Sequence, residues 1–173
     1  MRILQARKPL YLVTELGIPT DQVSIMIDAV QEILRLGHAT HLIPFHNLGA
    51  WRESDWSSPA KNDTIELKQY SSVDYYIACG MAMSDRRPQL KVKSIMEQFW
   101  NEPWQEADQH YDVLLTKHDL YDDGTNFVVG YAVKGFGLTM STFRFQGLEN
   151  ELRRECIKTI AMHELGHVFG AHT

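Results

Sequence analysis

The sequence has few cysteines, no excess of basic residues and no long apolar run. Cys79 and Cys156 are the only cysteines among 173 residues, too few for a disulfide framework, so free thiols in a reducing compartment are favoured. The formal net charge of -5 argues against the broad basic face that nucleic acid or an anionic membrane would attract. No stretch approaches the roughly 20 apolar residues of a membrane span. These absences favour a cytoplasmic protein that binds neither nucleic acid nor membrane.

The length and the apolar content predict one domain over residues 1–173 with a sizeable core, since 44% of the residues are hydrophobic. A strand over residues 3–13, a helix from Thr20 or Asp21 to Gly37 and a strand over residues 39–45 form a strand-helix-strand unit, which favours parallel pairing. Further apolar patterns predict strands over residues 73–81, 111–116, 127–133 and 138–145, and a helix over residues 89–100. The last two strands are close enough to form a hairpin. The predicted fold is therefore α/β with a mixed sheet.

A long helix is predicted over residues 148–169, close to the end of the chain. Its expected buried residues are Leu152, Cys156, Ile160, Leu165 and Val168. Within it, His163 and His167 are four residues apart, so both imidazoles leave the same helix face. Two such imidazoles suit a zinc ion, and Glu164 beside them could accept a proton from water as a general base. The alternative is that this motif arises by chance on an exposed helix.

Gly170 follows three residues after His167 and can end the helix in a left-handed turn, which lets the chain return toward the same ion. The whole motif resembles that of the metzincins, whose third ligand would fall at position 173. Here Thr173 takes that position, and a histidine precedes it at His172. We expect a chain that ends before its methionine turn. The other reading is a natural variant in which His163, His167 and either His172 or the terminal carboxylate bind the metal.

A narrower resemblance, to the archaemetzincins, extends over residues 119–172. The motifs that carry it are Asp119-Leu120-Tyr121, Asn126-Phe127-Val128-Val129-Gly130 with Ala132, Ser141-Thr142-Phe143-Arg144-Phe145, Arg154, Lys158 and the segment from His163 to Gly170. The resemblance implies a zinc peptidase in which a mixed, twisted sheet packs on an active-site helix. It also implies that an edge strand between Phe127 and Phe145 holds extended peptide by main-chain pairing.

The sequence departs from the archaemetzincin pattern after the zinc motif, because the cysteines that bind a second zinc in that family are absent. We therefore expect one zinc ion and no second, structural one. Two functions follow: a zinc-dependent peptidase acting on peptide or protein, with His163, His167 and His172 as ligands and Glu164 as base, or a non-enzymatic protein of the same fold that binds peptide or metal. The other histidines, His38, His41, His46, His110 and His118, are more simply explained as surface or strand-end residues.

Overall fold

A computed structural model describes residues 8–50, 72–78, 88–102, 105–106 and 108–171. Its main sheet has the strand order β2-β1-β4-β7-β6. These strands are β1 (Leu10–Thr14), β2 (Phe45–Gly49), β4 (Tyr111–Thr116), β6 (Gly130–Val133) and β7 (Gly137–Ser141). The first four in spatial order are parallel, and β6 pairs with β7 in antiparallel orientation. The expected mixed α/β fold is therefore confirmed.

Helices cover both faces of this sheet. Helix α1 (Thr20–Leu36) and helix α4 (Asn150–Val168) pack on one face, and α2 (Ser72–Ala78) and α3 (Val92–Trp100) pack on the other. Strand β4 lies at the centre of the sheet and all six of its residues are buried. A continuous buried run is typical of a parallel strand that is covered on both sides. Strands β3 (Leu90–Lys91) and β5 (Leu120–Tyr121) form a separate parallel pair.

Two predicted strands are wrong in position or type. Residues 39–44 are mainly turn, and the strand begins only at Phe45, because His38 adopts a left-handed φ of 52° and continues the chain reversal after α1. Residues 72–78 are helical, with Val73 and Tyr76 buried one turn apart. A short apolar run fits a buried helix as well as a strand, so periodicity could not separate the two. The rest of this predicted strand, including Cys79, lies outside the described residues.

The buried stripe of α4 also differs from the prediction. Leu152 is 49% exposed, whereas Ile157, Ala161, Leu165 and Val168 are buried at steps of four, four and three residues. This stripe packs against the sheet and α1, and an ion pair of 2.5 Å between Lys158 and Glu32 joins the exposed sides of the two helices. Residues 143–145, predicted as the end of a strand, form a 3-10 turn that leads into α4. Among the described residues, no helix is both long and apolar enough to cross a membrane.

Candidate metal centre

Helix α4 holds His163 and His167 on one face, as their spacing predicted. The two Nε2 atoms are 3.0 Å apart, and the rings lie edge to face with centroids 4.5 Å apart. His163 is exposed and His167 is half-buried, while the opposite side of the helix is in the core. Both ring nitrogens therefore converge on one point that is open to solvent.

Glu164 follows His163 on the helix and packs against the first residue of the edge strand. A Cβ atom at Gly130 would lie 2.7 Å from the Cγ atom of Glu164 and 2.9 Å from its Oε1 atom, so only glycine leaves room for this carboxylate. Burial raises the pKa of the Glu164 carboxyl, and the electrostatic effect of the neighbouring His163 and His167 partly opposes this rise. A carboxylate of raised pKa beside the two imidazoles suits a proton acceptor and donor.

The chain reverses at the end of α4, as the glycine predicted. Gly170 has a φ of 74°, its amide bonds to the His167 carbonyl at 3.0 Å, and the Ala171 amide bonds to the Gly166 carbonyl at 2.8 Å. The turn between β6 and β7 contacts this reversal, because the Gly135 amide donates to the Val168 carbonyl at 2.9 Å. Gly170 and Ala171 therefore end the helix in a turn that is held by backbone hydrogen bonds.

The distance between the two histidine nitrogens and the number of ligands near them test whether a zinc ion fits. A tetrahedral ion with bonds of about 2.0–2.1 Å would separate two ligand nitrogens by roughly 3.3 Å, close to the 3.0 Å observed. Within the described ranges, no group of three or more His, Cys, Asp or Glu side chains is arranged to hold a metal. The third expected ligand, His172, lies outside these ranges together with Thr173. The two imidazoles fit part of a zinc site, and His172 as a ligand stays a prediction.

Strand β6 forms the edge of the sheet next to these side chains. The Ser141 amide donates to the Val129 carbonyl at 2.8 Å, so these two residues form a hydrogen-bonded pair. In an antiparallel pair of strands, every second residue then hydrogen-bonds to the partner strand. The backbone groups of Tyr131 then face β7, and those of Gly130 and Ala132 face outward. No strand in the described part of the chain pairs with that outer edge. An extended peptide could add there as a further strand.

The remaining histidines do not join this centre. His38, His41 and His46 are exposed near α1 and β2, and His110 and His118 lie at opposite ends of β4. The Asp119 carboxylate accepts two bonds from Arg144, of 2.9 and 2.6 Å. Asp122 and Asp123 pair with lysines of α3 and β3 at 2.8 Å each. These acidic residues therefore serve charge pairs within the fold.

Sequence reasoning did not find the pairing of Glu15 with His118, which are 103 residues apart. Glu15 is 2% exposed, and its carboxylate lies 2.9–3.0 Å from Nδ1 of His118 and accepts the Thr116 hydroxyl at 2.6 Å. Burial alone would raise the pKa of Glu15, but hydrogen bonds from His118, Thr116 and the Lys117 amide outweigh it and lower that pKa. The hydrogen bond that His118 donates to Glu15 raises the pKa of His118. Only the adjacency of β1 and β4 could have revealed this pair.

The pair predicts a pH window of stability. Because the pKa of Glu15 is lowered, this residue contributes stability that is lost as the pH falls below 4.5, the ordinary pKa of a glutamate. Because the pKa of His118 is raised, this residue contributes stability that is lost as the pH rises above 6.5, the ordinary pKa of a histidine. The difference in unfolding free energy between the unaltered chain and His118→Gln is therefore expected to be largest between these values. Urea unfolding across the pH range measures it, and a pH-independent difference would contradict the pairing.

Comparison with known proteins finds a match in sequence over part of the chain. No protein-family model matches the chain. Over 63 residues the chain is 40% identical to the archaemetzincin of Pyrococcus furiosus, an overlap of 32% of this chain and 33% of that protein. The chain therefore matches only about a third of the length of this relative.

Solved structures extend the similarity over most of the chain. The crystal structure of archaemetzincin from Methanopyrus kandleri matches 94% of this chain and 73% of its own, with a TM-score of 0.62 and 22% identity. A zinc-dependent peptidase from Methanocorpusculum labreanum matches 93% of this chain and 81% of its own, with a TM-score of 0.51 and 18% identity. At these identities the structures establish the fold, and the segment of 40% identity supplies the similarity in sequence. The chain is therefore archaemetzincin-like, in fold over nearly its whole length and in sequence over about a third of it.

Proposed function

We propose that this chain is a zinc-dependent peptidase. The observation that carries the proposal is the convergence of the His163 and His167 Nε2 atoms, 3.0 Å apart, beside the half-buried carboxylate of Glu164 at the open edge of the sheet. The zinc-dependent peptidase among the structures of similar fold supports the metal and the reaction class. One zinc ion, peptide or protein as the substrate and a cytoplasmic location belong to the same proposal.

Each residue has a distinct role in this proposal. His163 and His167 hold the ion as neutral imidazoles, and His172 is the proposed third ligand. A bound zinc ion supplies a Lewis acid that polarises a carbonyl and acidifies water. Glu164 accepts the proton of the attacking water and later donates it to the leaving amine.

The edge strand supplies the means to hold an extended peptide. The outward N–H and C=O groups of Gly130 and Ala132 would pair with the peptide backbone, and Gly130 adjoins Glu164. Main-chain pairing is independent of the substrate side chains, so it orients the scissile bond without selecting the peptide sequence. The reacting carbonyl would lie between this strand and α4.

Zinc binding tests the proposal directly. We expect about one equivalent of zinc in the purified chain, and we expect His163→Ala and His167→Ala each to weaken zinc binding by more than roughly 100-fold, since even changes to residues around a ligand cost 10–100-fold. Competition with a chromophoric chelator measures the affinity. Removal of zinc should abolish peptide cleavage, and its return should restore it.

His41→Ala is a matched control because His41 is exposed and precedes β2, which lies at the opposite edge of the sheet from β6. It should leave the zinc affinity unchanged. If the unaltered chain binds no zinc, or if the His41 variant weakens binding as much as the others, the peptidase proposal fails. Binding of peptide without zinc would then favour the non-enzymatic alternative.

A further inference from the structure

A cavity lies at the carboxyl ends of β4 and β7, and we call it the strand-end cleft. It has a volume of about 270 Å³. Its lining residues are Pro88, Lys117, His118, Asp119, Phe143 and Gln146. In open α/β sheets, ligands bind outside the carboxyl ends of the strands. Neither His163 nor His167 lines this cleft, so its chemistry is considered by itself.

His118 lines the strand-end cleft, and its Nε2 atom is a hydrogen-bond donor when the ring is protonated. Its Nδ1 atom is held by Glu15, which is 2% exposed, so the ring separates a buried carboxylate from the cavity. Within the described ranges, the ring has no further hydrogen-bond partner, which leaves Nε2 for a ligand. The backbone of His118 is also fixed, because its carbonyl accepts the Ser141 hydroxyl at 2.6 Å and its amide donates to the Thr116 hydroxyl at 3.1 Å.

Lys117 brings a second donor to the same wall. Its Nζ atom donates to the Leu16 carbonyl at 2.6 Å and lies 3.7 Å from the Glu15 carboxylate. An ammonium group has three N–H donors, so donors remain for a ligand. The Lys117 side chain lines the cavity and is 42% exposed, so part of it is accessible to a ligand. Two positively charged groups are thus anchored by protein oxygens before any ligand arrives.

The charged groups that line the strand-end cleft are not the ones that balance them. Lys117 and a protonated His118 line it, whereas the carboxylate of Glu15, which accepts a hydrogen bond from His118, and that of Asp74, which also acts electrostatically on His118, do not. Asp119 also lines the cleft, but its carboxylate is neutralised by Arg144 at 2.9 and 2.6 Å and accepts the Gln89 amide at 3.0 Å. The charges that line the cleft and are not neutralised within it are therefore those of Lys117 and His118, which favours an anion.

The other walls of the cleft are apolar. Phe143 is 41% exposed, and Pro88 is also exposed. The cavity is smaller than the roughly 300–1,000 Å³ of sites for drug-sized ligands. We propose that the strand-end cleft binds a small organic carboxylate, whose oxygens accept hydrogen bonds from His118 Nε2 and Lys117 Nζ while its apolar group contacts Phe143. Inorganic phosphate would satisfy the donors and leave the apolar wall uncovered.

Benzoate is a suitable probe because it combines a carboxylate with one apolar ring. Titration of the whole chain, followed by NMR of the histidine side chains, is expected to show saturable binding that shifts the His118 ring signals. Acetate and inorganic phosphate should bind at least about tenfold more weakly. Lys117→Met and His118→Gln should each weaken benzoate binding at least tenfold, the effect of losing one charge-assisted hydrogen bond.

Two controls locate the binding. His41→Gln, on an exposed histidine elsewhere, should not change the affinity. A variant with both His163→Ala and His167→Ala should bind benzoate as the unaltered chain does, which separates this site from the proposed zinc centre. If His118→Gln does not fold, Lys117→Met still tests the cleft. Absence of saturable binding, equal affinity in the Lys117 variant, or loss of binding in the double histidine variant would overturn the proposal.

Discussion

Replacement of Glu164 by glutamine is expected to reduce peptide cleavage by roughly 10²–10⁴-fold, the usual contribution of general acid–base catalysis. Glutamine keeps the size of the side chain, so it still fits against Gly130, but its amide cannot accept a proton from water. Because Glu164 is not a proposed zinc ligand, the zinc content should stay unchanged. Steady-state cleavage of a fluorogenic peptide, together with metal analysis of the same sample, measures both quantities.

Glu155→Gln is the matched control for this experiment. Glu155 lies on the same helix but is exposed and away from the two histidines. It should cleave peptide at the rate of the unaltered chain. Glu164→Gln with nearly full activity would remove the general base from the proposal, whereas loss of zinc in that variant would show that the carboxylate acts on the metal site itself.

Replacement of Gly137 by alanine is expected to lower the free energy of unfolding by about 3 kcal/mol, near the upper end of the usual cost of overpacking. A Cβ atom at this position would lie 2.0 Å from the carbonyl oxygen of Asp112. Gly137 is paired with Asp112 between the neighbouring strands β7 and β4, so backbone rather than a flexible side chain would have to move. Equilibrium urea unfolding measures the change.

Gly147→Ala provides the control, because no atom lies within 4 Å of the position of its Cβ. Its unfolding free energy should change by less than about 0.5 kcal/mol, as for most surface substitutions. A Gly137 variant as stable as the Gly147 variant would contradict the close strand contact. It would mean that β4 and β7 are farther apart at their beginning than the register indicates.

Strong local patterns predicted much of the fold. The apolar spacing of α1 and the compact, mainly apolar run of β4 correspond to elements within a few residues of their predicted limits. The hairpin of β6 and β7 was predicted from two apolar stretches of sequence that are joined through Gly135. These features depend on periodicity and turn chemistry over a few neighbouring residues, which a sequence contains in full.

Other features depended on contacts between distant residues. Leu152 has the spacing of a buried residue but is 49% exposed, because the stripe that meets α1 and the sheet begins at Ile157. The short strand β5 pairs with β3 some thirty residues earlier and has no pattern of its own. Burial of this kind is decided by the partner surface, and helix or strand propensity does not specify that surface.

The sequence by itself determined the chemistry of the candidate site. It places two imidazoles one helical turn apart, a carboxylate beside them and a glycine at the end of the helix. The geometry of a single helix fixes the relative positions of these residues. The assignment of His163, His167 and Glu164 to zinc and catalysis stays a prediction. Only the tertiary structure decided that Gly130 of the edge strand packs on Glu164 and that Glu15 pairs with His118. Sheet order and register bring these residues together across 34 and 103 positions, and no local interaction encodes such a distance.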